Sequence, residues 1–177
     1  MLPIAAPSMS EKEMWEFFIR LGFSLVCGAI IGLERTHHRK PAGLRTNVLI
    51  CMGACLFTMA SLLSAFGVAK EPAEAARITA QIVTGIGFLG AGAIIRSGVS
   101  VHGLTTAASI WFVAAIGVLA GMGFYFLGIV SSLAALFVLT ALNRLEHWFQ
   151  ARFPPPPHEN EPFAPLPGGN PPEGSGG

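Results

Sequence analysis

Aspartate is absent from this chain, and charge of either sign is scarce. Charged residues make up 12% of the 177 positions, about half the roughly 25% usual in soluble domains. With 52% of residues apolar, so few charges cannot cover a soluble surface, and hydrophobic surface must face lipid. The net charge of +1 excludes the polybasic footprint that nucleic-acid binding needs. Cysteine is sparse too. Cys27, Cys51 and Cys55 all lie inside apolar runs, and an odd count at such places does not read as a disulfide framework. They read as small buried hydrophobes. Proline is missing from the apolar runs: nine of the 13 prolines follow Phe153, and the others are Pro3, Pro7, Pro41 and Pro72. Uninterrupted helices follow from that partition.

What the chain does have is long hydrophobic stretches. A spanning helix needs roughly 20 mostly apolar residues, and five stretches qualify: about 15–33, 44–66, 78–95, 104–120 and 124–142. The fold class is therefore all-α, a polytopic transmembrane bundle of about five helices. Residues 1–14 form an N-terminal extramembrane segment, 15–142 the transmembrane domain, 143–153 a juxtamembrane segment and 154–177 a Pro/Gly-rich tail. The tail has too little apolar surface to fold. Pro72 suits a first helical turn, with Glu74 on the positive end of the dipole. The leader of the first span, Ser10 to Glu16, is acidic rather than basic, so that span reads as a retained helix and not a signal peptide.

Loop charge gives an orientation. Arg35, Arg39, Lys40, Arg45, Arg96, Arg144 and Arg152 fall on one side by alternation, against Lys12, Arg20, Lys70 and Arg77 on the other. That bias places the N-terminus in the periplasm and the C-terminus in the cytoplasm. Two segments also echo each other. Gly28-Ala29-Ile30-Ile31 and Gly43-Leu44-Arg45-Thr46 parallel Gly92-Ala93-Ile94-Ile95 and Gly103-Leu104-Thr105-Thr106. A parallel pseudo-repeat of helical hairpins is one reading; chance similarity in glycine-rich apolar sequence is the other.

Gly85-Ile86-Gly87-Phe88-Leu89-Gly90 spells G-x-G-x-x-G. A dinucleotide site needs a preceding strand and an acid about 20 residues later. Here the motif sits in an apolar helix and position 110 is Ile, so the nucleotide reading fails. Gly85, Gly87, Gly90 and Gly92 are expected instead to let helix backbones approach closely, as are Gly28/Gly32 and Gly117/Gly121 with their G-x-x-x-G spacing.

Polar residues at the helix ends are the candidate functional positions. Glu34, Arg35, Arg45, Thr46, Asn47, Arg96, Thr105 and Thr106 all fall on the same predicted side. They are expected to converge, with Glu34 ionised among several guanidiniums; the alternative is interfacial anchoring by snorkelling side chains. On the other side Arg77, Gln81 and Thr84 share a helical face. Gln81 lies within the apolar run, where an amide needs a partner. No His/Cys/acid constellation has metal-ligand spacing, no carboxylate lies mid-membrane to suit magnesium, and nothing suggests an enzyme. No cofactor is expected, and no nucleic acid; the bilayer is the first partner, with a homo-oligomer as another.

At these same residues the chain resembles a known family. Gly28-Ala-Ile-Ile-Gly-Leu-Glu-Arg35, Ala42-Gly-Leu-Arg-Thr-Asn47, Arg77 through Gly92 and Gly103-Leu-Thr-Thr-Ala-Ala-Ser-Ile-Trp111 are similar to the MgtC/SapB membrane proteins, in order and spacing, over roughly residues 22–123. The resemblance implies a bacterial inner-membrane protein linked to magnesium limitation, stress adaptation and virulence. It implies a non-enzymatic role in modulating other membrane machinery, including the F-type ATP synthase. The alternative is a subunit of a magnesium-linked transporter or channel. The matching motif positions include Glu34, Arg35, Gly43, Arg45, Thr46, Arg77, Gln81, Gly87, Gly90, Gly92, Gly103 and Thr106. Many members carry a folded C-terminal domain where this chain has its Pro-rich tail, so the short form is the expectation.

Overall fold

Ser10 starts the first helix. Its hydroxyl accepts from the Glu13 backbone N–H at 3.3 Å, while the Glu13 carboxylate accepts from the Ser10 N–H at 2.8 Å, a reciprocal capping box. The computed structural model describes residues 10–63, 72–97 and 100–152. Helix α1 covers Glu11–His37 and α2 covers Leu44–Leu63; α3 runs Pro72–Gly92 with the proline in its first turn, and α4 runs Leu104–Gly121. Helix α5, Tyr125–Phe137, passes through a π turn at Val138–Leu142 into α6, Asn143–Arg152. The Thr140 hydroxyl donates to the Leu136 carbonyl at 2.7 Å within that turn.

Four helices are long and apolar enough to cross a membrane: α1, α2, α4, and the α5 helix continued through the π turn to Leu145. The third differs from the expected span. Its apolar part is Thr79–Gly92, about 21 Å at 1.5 Å per residue, against a hydrocarbon core of about 30 Å. Ile95, the last residue of the expected span, opens an antiparallel hairpin instead. Strand β1, Ile95–Ser97, pairs with β2, Ser100–His102, and every described residue of it is exposed. The expected end of the second span, 64–66, lies outside the described residues, as does the tail after residue 152.

The burial pattern is that of a protein in lipid. Phe57, Phe88, Phe126 and Phe137 stand well exposed, while Ser24, Asn47, Thr58, Ser61, Thr106, Ser109 and Ser132 are buried. Buried hydroxyls bond back to their own helix: Thr58 to the Ala54 carbonyl and Ser132 to the Gly128 carbonyl, each at 2.8 Å. Helix α4 is the central element, and touches α1, α2, α3 and α5. It is apolar all round, as a helix surrounded by others must be. The core gathers Cys27, Ile31, Ile50, Cys51, Val113 and Ile116, and all three cysteines are free thiols.

Helix directions follow from the contacts. Gly32 of α1 meets Leu44 and Gly28 meets Asn47 and Val48, so α1 and α2 are antiparallel. Gly117 meets Cys51 and Ala54, and Gly121 meets Cys55 and Thr58, so α4 runs parallel to α2. The second and fourth helices therefore start at one end, as a pseudo-repeat requires. The two hairpins close differently, however. A Cβ on Gly28 would lie 2.9 Å from the Asn47 carbonyl oxygen, whereas its counterpart Gly92 has no atom within 4 Å of that position.

Candidate functional site

The end of the bundle where α1 stops and α2 and α4 start holds the polar residues. Glu34 and Arg35 close α1, and both are buried, at 8% and 3% exposure. The Arg35 guanidinium donates to both carboxylate oxygens, Nε to Oε2 at 2.5 Å and Nη2 to Oε1 at 2.9 Å. This bidentate pairing between adjacent residues neutralises the acid within one turn of helix. His38 adds a third contact. Its Nδ1 lies 3.1 Å from Glu34 Oε1 and 3.0 Å from the Glu34 carbonyl oxygen. Both neighbours accept only, so the contact suits an imidazole that donates from Nδ1. The remaining guanidinium nitrogen, Arg35 Nη1, is buried with no hydrogen-bond partner among the described residues.

The loop into α2 is locked by side chains. Thr36 Oγ1 accepts from the Leu44 N–H at 2.8 Å. Asn47 donates through Nδ2 to the carbonyls of Ala42 and Gly43, each at 2.8 Å, and is itself fully buried. Arg39 takes the left-handed conformation at φ 51 to make the turn. Gly103, ahead of α4, has φ +89, and a Cβ there would run into the Ala93 carbonyl. Gly103 thus sets where α4 begins, while Thr36 and Asn47 hold the start of α2.

Two grooves open beside this end. One, of about 460 Å³, is lined by Pro41, Ala42, Thr46, Leu89, Thr106 and Ile110 among others. The second, of about 610 Å³, lies between α2 and α3 and includes Leu49, Gly53, Phe57, Gln81, Gly85 and Leu89. Leu89 belongs to both walls.

The expected polar cluster is therefore divided. Glu34 and Arg35 are joined, Asn47 locks the loop, and Thr46 and Thr106 share a groove wall. Arg45 and Thr105 are exposed, and Arg96 stands on the exposed hairpin. Glu34 is held by Arg35 and His38 rather than by several distant guanidiniums. Of the other predicted set, Gln81 lines the α2–α3 groove, while Arg77 and Thr84 are exposed on α3. The glycines also divide. Gly28, Gly32, Gly117 and Gly121 sit where a Cβ would meet a neighbouring helix at 3 Å or less; Gly90 is buried beside Ala107 at ordinary contact distance; Gly85, Gly87 and Gly92 have no atom within 4 Å. The close approach expected of those three does not occur among the described residues of one chain.

Two residues emerge that sequence reasoning passed over. His38 was legible as the i+4 partner of Glu34. Arg20, counted above as a loop charge, lies inside the apolar run of α1, which is itself a signal for an internal partner. Its Nη1 donates to the Gly121 carbonyl at 2.7 Å and its Nη2 to Glu16 at 3.3 Å, capping the last turn of α4. Among the described residues, no group of three His, Cys or Glu side chains is placed to hold a metal ion.

The profile of the MgtC family matches residues 21–148. The chain is 46% identical over 136 residues to the putative magnesium transporter YhiD of Escherichia coli K12, a match covering 73% of this chain and 62% of the relative. It is 42% identical over 138 residues to protein MgtC of Salmonella typhimurium LT2, covering 77% and 55%. An uncharacterized protein of Synechocystis, slr0014, is 41% identical over 133 residues, covering 75% and 55%. The matches thus span less than two thirds of the length of these relatives. No solved structure matches.

Proposed function

The chain belongs to the MgtC family, and from that premise we propose that it is a non-enzymatic regulator of the bacterial inner membrane, working through helix contacts with another membrane complex in magnesium-limitation or virulence-related adaptation. The observation that carries this reading is the uncovered face of α3. Thr84, Gly87 and Phe88 are exposed on α3, with Phe88, which also borders the smaller groove, 81% exposed. Small and hydroxyl side chains on an uncovered apolar helix suit close packing by a second helix. The F-type ATP synthase is the proposed partner class, and the basic end is proposed to face the cytoplasm, with the N-terminus in the periplasm.

The state of Glu34 supports the same reading. A carboxylate engaged by Arg35 through both oxygens is poorly placed to accompany a cation. The second reading, a subunit of a magnesium-linked transporter or channel, draws on the name of the E. coli relative and on Gln81 in its groove.

The test is reconstitution. Purified protein in liposomes is expected to give no magnesium flux above empty vesicles. From membranes it is expected to co-purify with a larger complex, and Gly87→Leu is expected to release that complex. Magnesium flux abolished by Gln81→Ala would sink the regulator reading and establish the second.

A further inference from the structure

The two grooves that share Leu89 have no role in the regulator reading above. Their combined wall rises from Thr46 near the start of α2 to Phe57, about 17 Å at 1.5 Å per residue. That is close to half the hydrocarbon core, about 15 Å. Apart from Gln81, Thr46 and Thr106 the walls are apolar, and Gly53 and Gly85, one on each side, have no atom within 4 Å of a would-be Cβ. The compartments hold about 610 and 460 Å³, room for a single hydrocarbon chain.

Charge at the mouth selects the headgroup. Arg45 is exposed beside Thr46, and Arg39 and Lys40 are exposed just ahead of Pro41 and Ala42. The nearby acid, Glu34, is buried and taken up by Arg35. Neither α2 nor α4 carries an acid in its first turn, and the Gly103 cap of α4 supplies no side-chain acceptor. We propose that this α2–α3–α4 groove is a binding site for an anionic phospholipid, with one acyl chain running from the Thr46/Thr106 mouth down to Phe57 and the phosphate held by Arg45 and the basic loop.

The experiment uses the full chain incorporated into vesicles of equal parts phosphatidylglycerol and phosphatidylcholine. The protein is then extracted into detergent, and the lipid that stays bound is counted by native mass spectrometry. Phosphatidylglycerol is expected to be enriched about fivefold for each basic residue that engages it, and Arg45→Gln is expected to reduce the enrichment by about that factor. Gly53→Leu fills the groove from α2 and Gly85→Leu from α3, and each is expected to remove bound lipid with the thermal melt unchanged. Should one variant unfold, the other carries the test. Photoreactive phosphatidylglycerol on the wild-type chain, mapped to the groove walls, supports the site independently.

Equal retention of both lipids would overturn the proposal, as would bound lipid surviving in both leucine variants. Displacement by millimolar inorganic phosphate would show a free-anion site instead. Cross-linked dimers lost in Gly85→Leu, with no lipid retained, would show that a second copy fills the groove.

Discussion

The Arg20 guanidinium, near the start of α1, donates to the backbone carbonyl of Gly121 at the end of α4, at 2.7 Å. Helix ends leave carbonyls without intrahelical partners, and in an apolar setting an unmet one is costly. A charge from another helix meets this one, and Glu16 balances that charge one turn away. The contact ties the first helix to the central one at the end opposite Glu34.

Arg20→Ala is accordingly expected to destabilise the bundle by about 1.5–3 kcal/mol, the range for a lost charged hydrogen bond. Arg20→Lys should recover part of it, since an ammonium keeps the charge but loses the fork. Thermal unfolding in detergent reads both, and an alanine variant as stable as wild type would remove the capping role.

At the other end, Glu34→Gln is expected to cost about 3–5 kcal/mol, because it strands a buried guanidinium. The double variant Glu34→Gln/Arg35→Met should be more stable than Glu34→Gln alone, since no buried charge is left unpaired. Denaturant titration of the wild type, both single variants and the double variant decides this. A double variant with the sum of two independent losses would contradict the pairing.

The glycines are expected to separate into two classes. A Cβ on Gly121 would lie 2.7 Å from the Cys55 carbonyl oxygen and the Thr58 Cβ, so Gly121→Leu should prevent folding or lower the melting temperature sharply. Gly87 has open space around it, and Gly87→Leu should leave the melt within about 0.5 kcal/mol of wild type. Loss of a partner complex in that variant, at unchanged stability, would locate the contact on the outer face of α3.

Gly103→Ala tests the turn before α4. The left-handed φ and the collision with the Ala93 carbonyl should together cost at least about 1–3 kcal/mol. Gly22→Ala is the control, with no atom within 4 Å. Equal melts for the two variants would show that the α3–α4 connection relaxes freely.

The sequence by itself determined four of the membrane helices, because transfer free energy adds up locally over a run of about 20 residues. It also marked Gly28/Gly32 and Gly117/Gly121 as packing positions, and the adjacency of Glu34 and Arg35. Tertiary structure decided the rest. G-x-x-x-G spacing shows that a helix can be approached closely; which glycines are approached depends on how each helix is rotated, so α4 uses its pair on α2 while α3 leaves Gly85 and Gly87 uncovered. The charges follow the same rule. Arg45 shares an end with Glu34 but stays exposed, and Arg20 finds a backbone carbonyl 101 residues away. Nothing local in the chain specifies such partners, since hydrogen bonds form over about 3 Å, and only packed helices place groups from distant segments within that reach.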